Sequence, residues 1–411
     1  MSFQVRDDYL YCEALRVTDI CSRLSESPFY LYSLARIEAN FDAYIEALDG
    51  LDAIVCYAFK ANGNLSILEH LVRLGSGAAL VSGGELELAS RAGFDPARTI
   101  LNGNGKTMDE LRRAVELGVL INIDSEFDLA HLAKVTSDLG SDANVLVRLN
   151  PDIDPDVHPF VATGMSESKF GLRRERLDPL LERIACEPRV KLVGIHCHLG
   201  STIESVAVFR EAATAMMDVV SGLRDRGETI RYLNLGGGLG IDYERDGRLP
   251  DRRQLIDSIR DVVGSDLTII LEPGRSVIGD AGVLVGRVIG VKRTGKKNFI
   301  VADMSMAELI RPSLYGAYHH VDFAQPVGGK VRTFDVVGPV CESADFLAKE
   351  RKLPTPEEGT VIVVHDAGAY GYAMSSNYNA RLRPAEYLVS GDRLEKIRCA
   401  ETMDDFMGLF P

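Results

Sequence analysis

Residues 54–59, Ile-Val-Cys-Tyr-Ala-Phe, form an apolar run that ends at Lys60 and is followed by Ala-Asn-Gly-Asn. A short run of this kind, bounded by turn residues, suits a strand buried on both faces. Leu65, Leu68 and Val72 then recur at helical spacing up to Gly75, with Asn64 as the expected N-cap. The same alternation of apolar run, Gly- or Asn-containing turn and amphipathic helix continues along the chain. It places strands at 54–60, 78–82, 99–101, 119–124, 144–150, 191–197, 232–236 and 267–272. Eight parallel strands separated by helices close more naturally into a (β/α)8 barrel than into an open doubly wound sheet, the alternative architecture. The longest interval, between Asn150 and Lys191, holds an expected active-site insertion at 151–171.

After Glu272 the helical spacers cease. Strand-like stretches at 283–292, 298–303, 333–340, 360–366 and 386–398, the last a hairpin around Ser390, Gly391 and Asp392, predict a mainly antiparallel β domain. The expected organisation is a segment 1–35 packing with the C-terminal β domain, a barrel over 36–280, and a β domain over 281–411 that completes the active site. Phe29–Ser33 reads as a strand, and the first residues could supply a strand to the barrel.

Composition narrows the class. With 46% hydrophobic and 26% charged residues over 411 positions, the chain reads as an ordinary globular protein of about two domains. A formal charge of −14 argues against a nucleic-acid surface or an anionic membrane as partner. Arg6, Asp7 and Asp8 stand where a secretory signal needs an apolar core, which favours a cytoplasmic location. Seven cysteines without a CxxC pair indicate neither a disulfide framework nor a metal site.

In a barrel, chemistry collects just past the strand ends. Lys60 ends the first strand, His196 and His198 the sixth, Gly236, Gly237 and Gly238 the seventh, and Glu272 the eighth. Only one of the two histidines is expected to enter the site. A glycine triplet after the seventh strand sits where barrels commonly bind phosphate through backbone N–H groups. An amine, a phosphate cradle, a histidine and a carboxylate together suit pyridoxal phosphate, the carboxylate facing its pyridine nitrogen. An aldolase that uses Lys60 without a cofactor is the competing chemistry.

The segments YAFKAN around Lys60, HCHLGST at 196–202, LNLGGGLGIDY at 233–243, EPGRS at 272–276, RPSLYGAYH at 311–319, GPVCESADF at 338–346 and DAGAY at 366–370 resemble the diaminopimelate decarboxylases. The resemblance extends in order from about residue 29 to 400. It implies a pyridoxal-phosphate enzyme of the alanine-racemase-like fold that converts meso-diaminopimelate to lysine and carbon dioxide, the last step of lysine biosynthesis. Lys60 is then the cofactor-bearing lysine, His198 the residue packed on its ring, and Glu272 the partner of the ring nitrogen. Ser201, Gly237, Gly238, Gly274 and Arg275 match cofactor-binding positions, with Tyr378 near cofactor and substrate. Arg275, Arg311 and Tyr315 match positions that grip the substrate's distal carboxylate, and Glu342 the acid near its distal amine. Cys341 matches the cysteine that returns a proton. The resemblance also implies a homodimer in which Cys341 and Glu342 serve the partner subunit's site. Thr202 stands where many members carry Gln.

The substrate class follows the same logic, because a dicarboxylic diamine needs a fixed positive fork and a nearby acid at its unreactive end. A decarboxylase of ornithine, arginine or lysine, or of a modified diamino acid, would meet no distal carboxylate or a different one. A non-catalytic regulatory relative would have lost Lys60 or Cys341. A racemase of the same fold would need a tyrosine base such as Tyr315 or Tyr318.

Overall fold

The structure, a computed structural model, describes residues 3–155, 157–158, 164 and 168–411. It divides into two compact units, one of residues 41–240 with 248–276, the other of residues up to 40 with 241–247 and 277–411.

The first unit is a closed barrel of eight parallel strands: Ala53–Ala58, Gly77–Leu80, Thr99–Leu101, Leu120–Ile123, Ala143–Arg148, Val190–His196, Tyr232–Asn234 and Thr268–Leu271. They are neighbours in chain order, and the last closes on the first with Ile270 opposite Ile54. Each apolar run lies within its strand because both faces are covered, one by the helices and one by the barrel interior. Inside, Ile54, Cys56, Ala79, Ile100, Leu120, Leu146, Val193 and Ile270 form an apolar layer. The helices are started and stopped by local side chains. Asn64 caps Leu65–Arg73 by accepting from the Ser66 N–H at 3.1 Å, and Thr107 with Glu110 forms a reciprocal capping box on Met108–Leu117.

The second unit is built on a nine-stranded sheet. Its spine is Gly282–Thr294, which pairs antiparallel with Phe29–Ser33, Lys297–Ala302 and Val361–Val364. Phe29–Ser33 therefore belongs to this sheet, and the barrel closes without it. All five of its residues are buried, and it takes Gly282–Thr294 on one side and Ala385–Ser390 on the other. The sheet is mixed: Phe29–Ser33 runs parallel to Ala385–Ser390, and Lys297–Ala302 parallel to Val331–Val337. Three further pieces had no counterpart in the sequence reading: Val321–Phe323, the charged strand Phe346–Pro354 at the sheet edge, and a three-stranded antiparallel sheet of Phe3–Arg6, Tyr9–Cys12 and Leu15–Arg16. Charges on an edge strand suppress pairing with other chains, and in sequence they hide the strand. The core of this unit alternates along its strands, with Phe29, Leu31, Val283, Val285, Val361 and Val363 packed together.

Candidate active site

The strand ends of the barrel open into a cavity of about 350 Å³ lined by Lys60, His196, His198 and Glu272, with Asn102, Lys106, Arg148, Lys169 and Phe170. Lys60 occupies the single 3-10 turn Phe59–Ala61 that follows the first strand, and its side chain is exposed to the cavity while Phe59 and Ala61 are buried. The lysine thus sits on a buried support and faces the cavity. The stretch 151–171 lies partly outside the described residues; of its end, Lys169 and Phe170 line the cavity.

Both histidines line the cavity, contrary to the expectation of one. Residues i and i+2 of an extended chain share a face, so HCH turns both rings inward and Cys197 outward. His198 Nδ1 accepts from the Gly237 N–H at 3.1 Å, which leaves the proton on Nε2. Burial pushes both histidines well below the usual range, helped at His196 by Arg148 and at His198 by Lys60, so both are neutral at physiological pH.

Period-two alternation explains the remainder of the site. Ile100, Leu120, Leu146 and Ile270 of the apolar layer, and Tyr232 packed against it, are followed two residues later by Asn102, Asn122, Arg148, Glu272 and Asn234, all five of these polar residues buried. These form a polar layer immediately above the apolar one. Asn102, Asn122, Arg148 and Asn234 were not singled out from sequence, although a polar residue two places beyond the last inward apolar one was the available signal. Glu272 Oε1 accepts from Asn234 Nδ2 at 2.8 Å and Asn102 Nδ2 at 2.9 Å. Arg148 is held by Asp124 at 3.4 Å and lies over the Phe170 ring.

The glycine triplet is shaped by close packing as well as by its N–H groups. A Cβ on Gly237 would lie 2.1 Å from the Glu272 carbonyl oxygen, and Gly238 has φ +119°, open mainly to glycine. Beside it, Arg275 opens the short helix Arg275–Ile278 and donates to Ser201 Oγ from Nη2 at 3.0 Å. Gly274 packs closely enough that a Cβ would lie 3.0 Å from Ala61 Cβ. The buried Nε2 of His196, without a hydrogen-bond partner among the described residues, and a backbone stripped of Cβ atoms fit a flat, polar, anionic group such as pyridoxal phosphate.

The other expected site residues belong to the second unit. Arg311 is buried in Arg311–Tyr315, where Nη1 contacts His319 Nε2 at 2.8 Å and the guanidinium lies over the Tyr243 ring. Tyr315 is half-buried at the end of the same helix. Cys341 and Glu342 are exposed, on a loop pinned from three sides. Asp345 accepts from the Val340 and Met306 N–H groups, Asn379 Oδ1 accepts from the Cys341 N–H at 2.8 Å, and Ser313 donates to the Ala344 carbonyl at 2.5 Å. Tyr378, also exposed, precedes Asn379 in the same 3-10 turn.

The chain resembles known proteins along almost its whole length. A family model described as pyridoxal-dependent decarboxylase, pyridoxal binding domain, matches residues 34–279. A probable chloroplastic diaminopimelate decarboxylase of Oryza sativa subsp. japonica is 55% identical over 409 residues, which is 98% of this chain and 84% of that protein. The diaminopimelate decarboxylase of Pseudomonas aeruginosa is 43% identical over 406 residues, covering 98% and 97%. Among solved structures, the diaminopimelate decarboxylase of Helicobacter pylori complexed with L-lysine superposes with a TM-score of 0.92 at 35% identity, covering 95% of this chain and 98% of that one.

Proposed function

Because the chain belongs to the diaminopimelate decarboxylases, within the pyridoxal-dependent decarboxylases, we propose that it is a carboxy-lyase that converts meso-diaminopimelate to L-lysine and carbon dioxide. The observation that carries this reading is the convergence of Lys60, His198 and Glu272 on one cavity beside the glycine turn.

When bound, pyridoxal phosphate supplies an electron sink for the bond that the departing carboxylate leaves behind. Lys60 would hold the cofactor through its amine. Glu272 holds a proton at the ring nitrogen, and neutral His198 supports the ring without competing for that charge. Ser201, Arg275, Gly274 and the N–H groups of Gly237 and Gly238 hold the phosphate. Arg275, Arg311 and Tyr315 would take the distal carboxylate and Glu342 the distal amine, with Tyr378 near cofactor and substrate. Cys341 would give a proton to the α-carbon in place of the lost carbon dioxide.

The same reading makes the enzyme a cytoplasmic homodimer in which Cys341 and Glu342 complete the partner subunit's site. Their exposure on a pinned loop supports that use. Among the described residues, no helix is long and apolar enough to cross a membrane.

Lys60→Ala tests the tether: the visible absorbance of the bound cofactor should vanish, and an unchanged spectrum would place the attachment elsewhere. Mixing inactive Lys60→Ala and inactive Cys341→Ala chains should restore part of the activity. Absence of recovery despite demonstrated subunit exchange would mean self-contained sites.

A further inference from the structure

Glu272 is held in a ring of neutral partners. Its Oε1 accepts from Asn234 Nδ2 and Asn102 Nδ2, at 2.8 and 2.9 Å. Each amide is fixed in turn. Asn234 Oδ1 accepts from the Gly236 N–H at 2.8 Å, which commits its Nδ2 to the carboxylate. Asn102 Oδ1 accepts from Asn122 Nδ2 at 2.7 Å, and the same Asn122 amide contacts His196 Nδ1. With Nδ1 accepting, the proton of His196 resides on Nε2, a buried atom without a hydrogen-bond partner among the described residues, 3.8 Å from Glu272 Oε2.

The two oxygens of Glu272 are therefore unlike. Oε1 takes two protein donors, whereas Oε2 takes none among the described residues, and Glu272 and His196 both line the cavity. Among the described residues, neither a lysine nor an arginine lies within ion-pair distance of this carboxylate. A cationic partner would neutralise it, while amide donors orient it and leave its charge intact.

We propose that Asn102 and Asn234 are positioning residues that clamp Glu272 by Oε1 so that Oε2 is presented to the ring nitrogen of the cofactor. This rests on the reading that Glu272 partners that nitrogen. Asn122 and His196 complete the clamp from behind by fixing Asn102. Without the amides, the carboxylate turns freely about its terminal bond and the ring nitrogen loses a directed partner.

The test compares affinity for pyridoxal phosphate with affinity for its analogue carrying carbon in place of the ring nitrogen, measured by cofactor absorbance on the full chain. A hydrogen bond to a charged group implies that the wild type prefers the natural cofactor by roughly tenfold or more. Asn102→Ala and Asn234→Asp, the latter keeping the acceptor for the Gly236 N–H, should cut that preference to roughly threefold or less, with affinity for the analogue unchanged. A general structural role would weaken both ligands alike and would overturn the proposal. Glu272→Ala, run alongside, separates the two readings. If it leaves the preference intact, Glu272 does not face the nitrogen. If it removes the preference while both asparagine variants retain it, the clamp is refuted. Asn102→Ser, too short to span the contact, serves if Asn102→Ala does not fold.

Discussion

Lys106 and Asp128 form an ion pair whose side chains are 2% and 0% exposed, with Nζ 2.8 Å from Oδ2. Lys106 also donates to the Gly103 carbonyl, and Asp128 Oδ2 accepts from the Asp124 N–H at 3.1 Å. The pair ties the loop after the third barrel strand to the N-terminal turn of the helix Glu126–Leu139. Lys106→Met should leave a buried carboxylate with one donor, at a cost of about 3–5 kcal/mol. For a unit of this size that is roughly 6–20 °C in the melting midpoint. Burial already pushes the Asp128 carboxyl up with the lysine present, and removing the lysine pushes it further. A carboxyl raised in the folded state costs nothing below its unfolded pKa, and the cost grows as pH rises toward the folded value. The loss should therefore be small near pH 4 and complete at pH 8, in calorimetry or denaturant titration. Lys106→Met/Asp128→Leu should recover most of it, because replacing both charges with apolar groups removes the stranded ion. Equal losses at both pH values, or a variant within about 0.5 kcal/mol of wild type at pH 8, would refute the reasoning.

Two further outcomes are expected. Asp366, buried in the second unit with Arg245 3.9 Å away, has its carboxyl pushed up to about 6 by burial. Its stability penalty is absent at pH 4 and full above pH 6, so Asp366→Asn should gain about 2–3 kcal/mol at pH 8 and little at pH 4, read from paired melting curves. A gain independent of pH would assign the effect to something other than ionisation. Gly237→Ala, whose Cβ would meet the Glu272 carbonyl at 2.1 Å, should lower cofactor affinity by at least roughly tenfold, because the turn must shift; unchanged affinity in a spectroscopic titration would show that the turn yields without affecting the site.

The barrel was legible because its strands are short apolar runs covered on both faces, and each helix carries its own start and stop signals, as Asn64 and the Thr107–Glu110 box illustrate. The residues past the strand ends followed from that geometry, and Lys60, His198 and Glu272 do share a cavity. The polar layer inside the barrel escaped because Asn102, Asn122 and Asn234 read as turn or surface residues until strand register shows which way they face. His196 joins His198 at the cavity because residues two apart on an extended chain share a face. In the second unit, pairing is non-local: Phe29–Ser33 meets Gly282–Thr294 and Ala385–Ser390, partners more than 200 residues distant that no short pattern specifies. The edge strand Phe346–Pro354 carries Lys349, Glu350, Arg351 and Lys352 in succession, a composition indistinguishable from a loop without its neighbour.

The central claim is the reaction itself, and product analysis of the purified chain with pyridoxal phosphate addresses it most directly. Supplied side by side with meso-diaminopimelate, ornithine, arginine and lysine, the enzyme should release carbon dioxide from the first alone, with lysine formed in equal amount. Release from ornithine, arginine or lysine at a comparable rate, or none from diaminopimelate by a cofactor-loaded enzyme, would contradict the account.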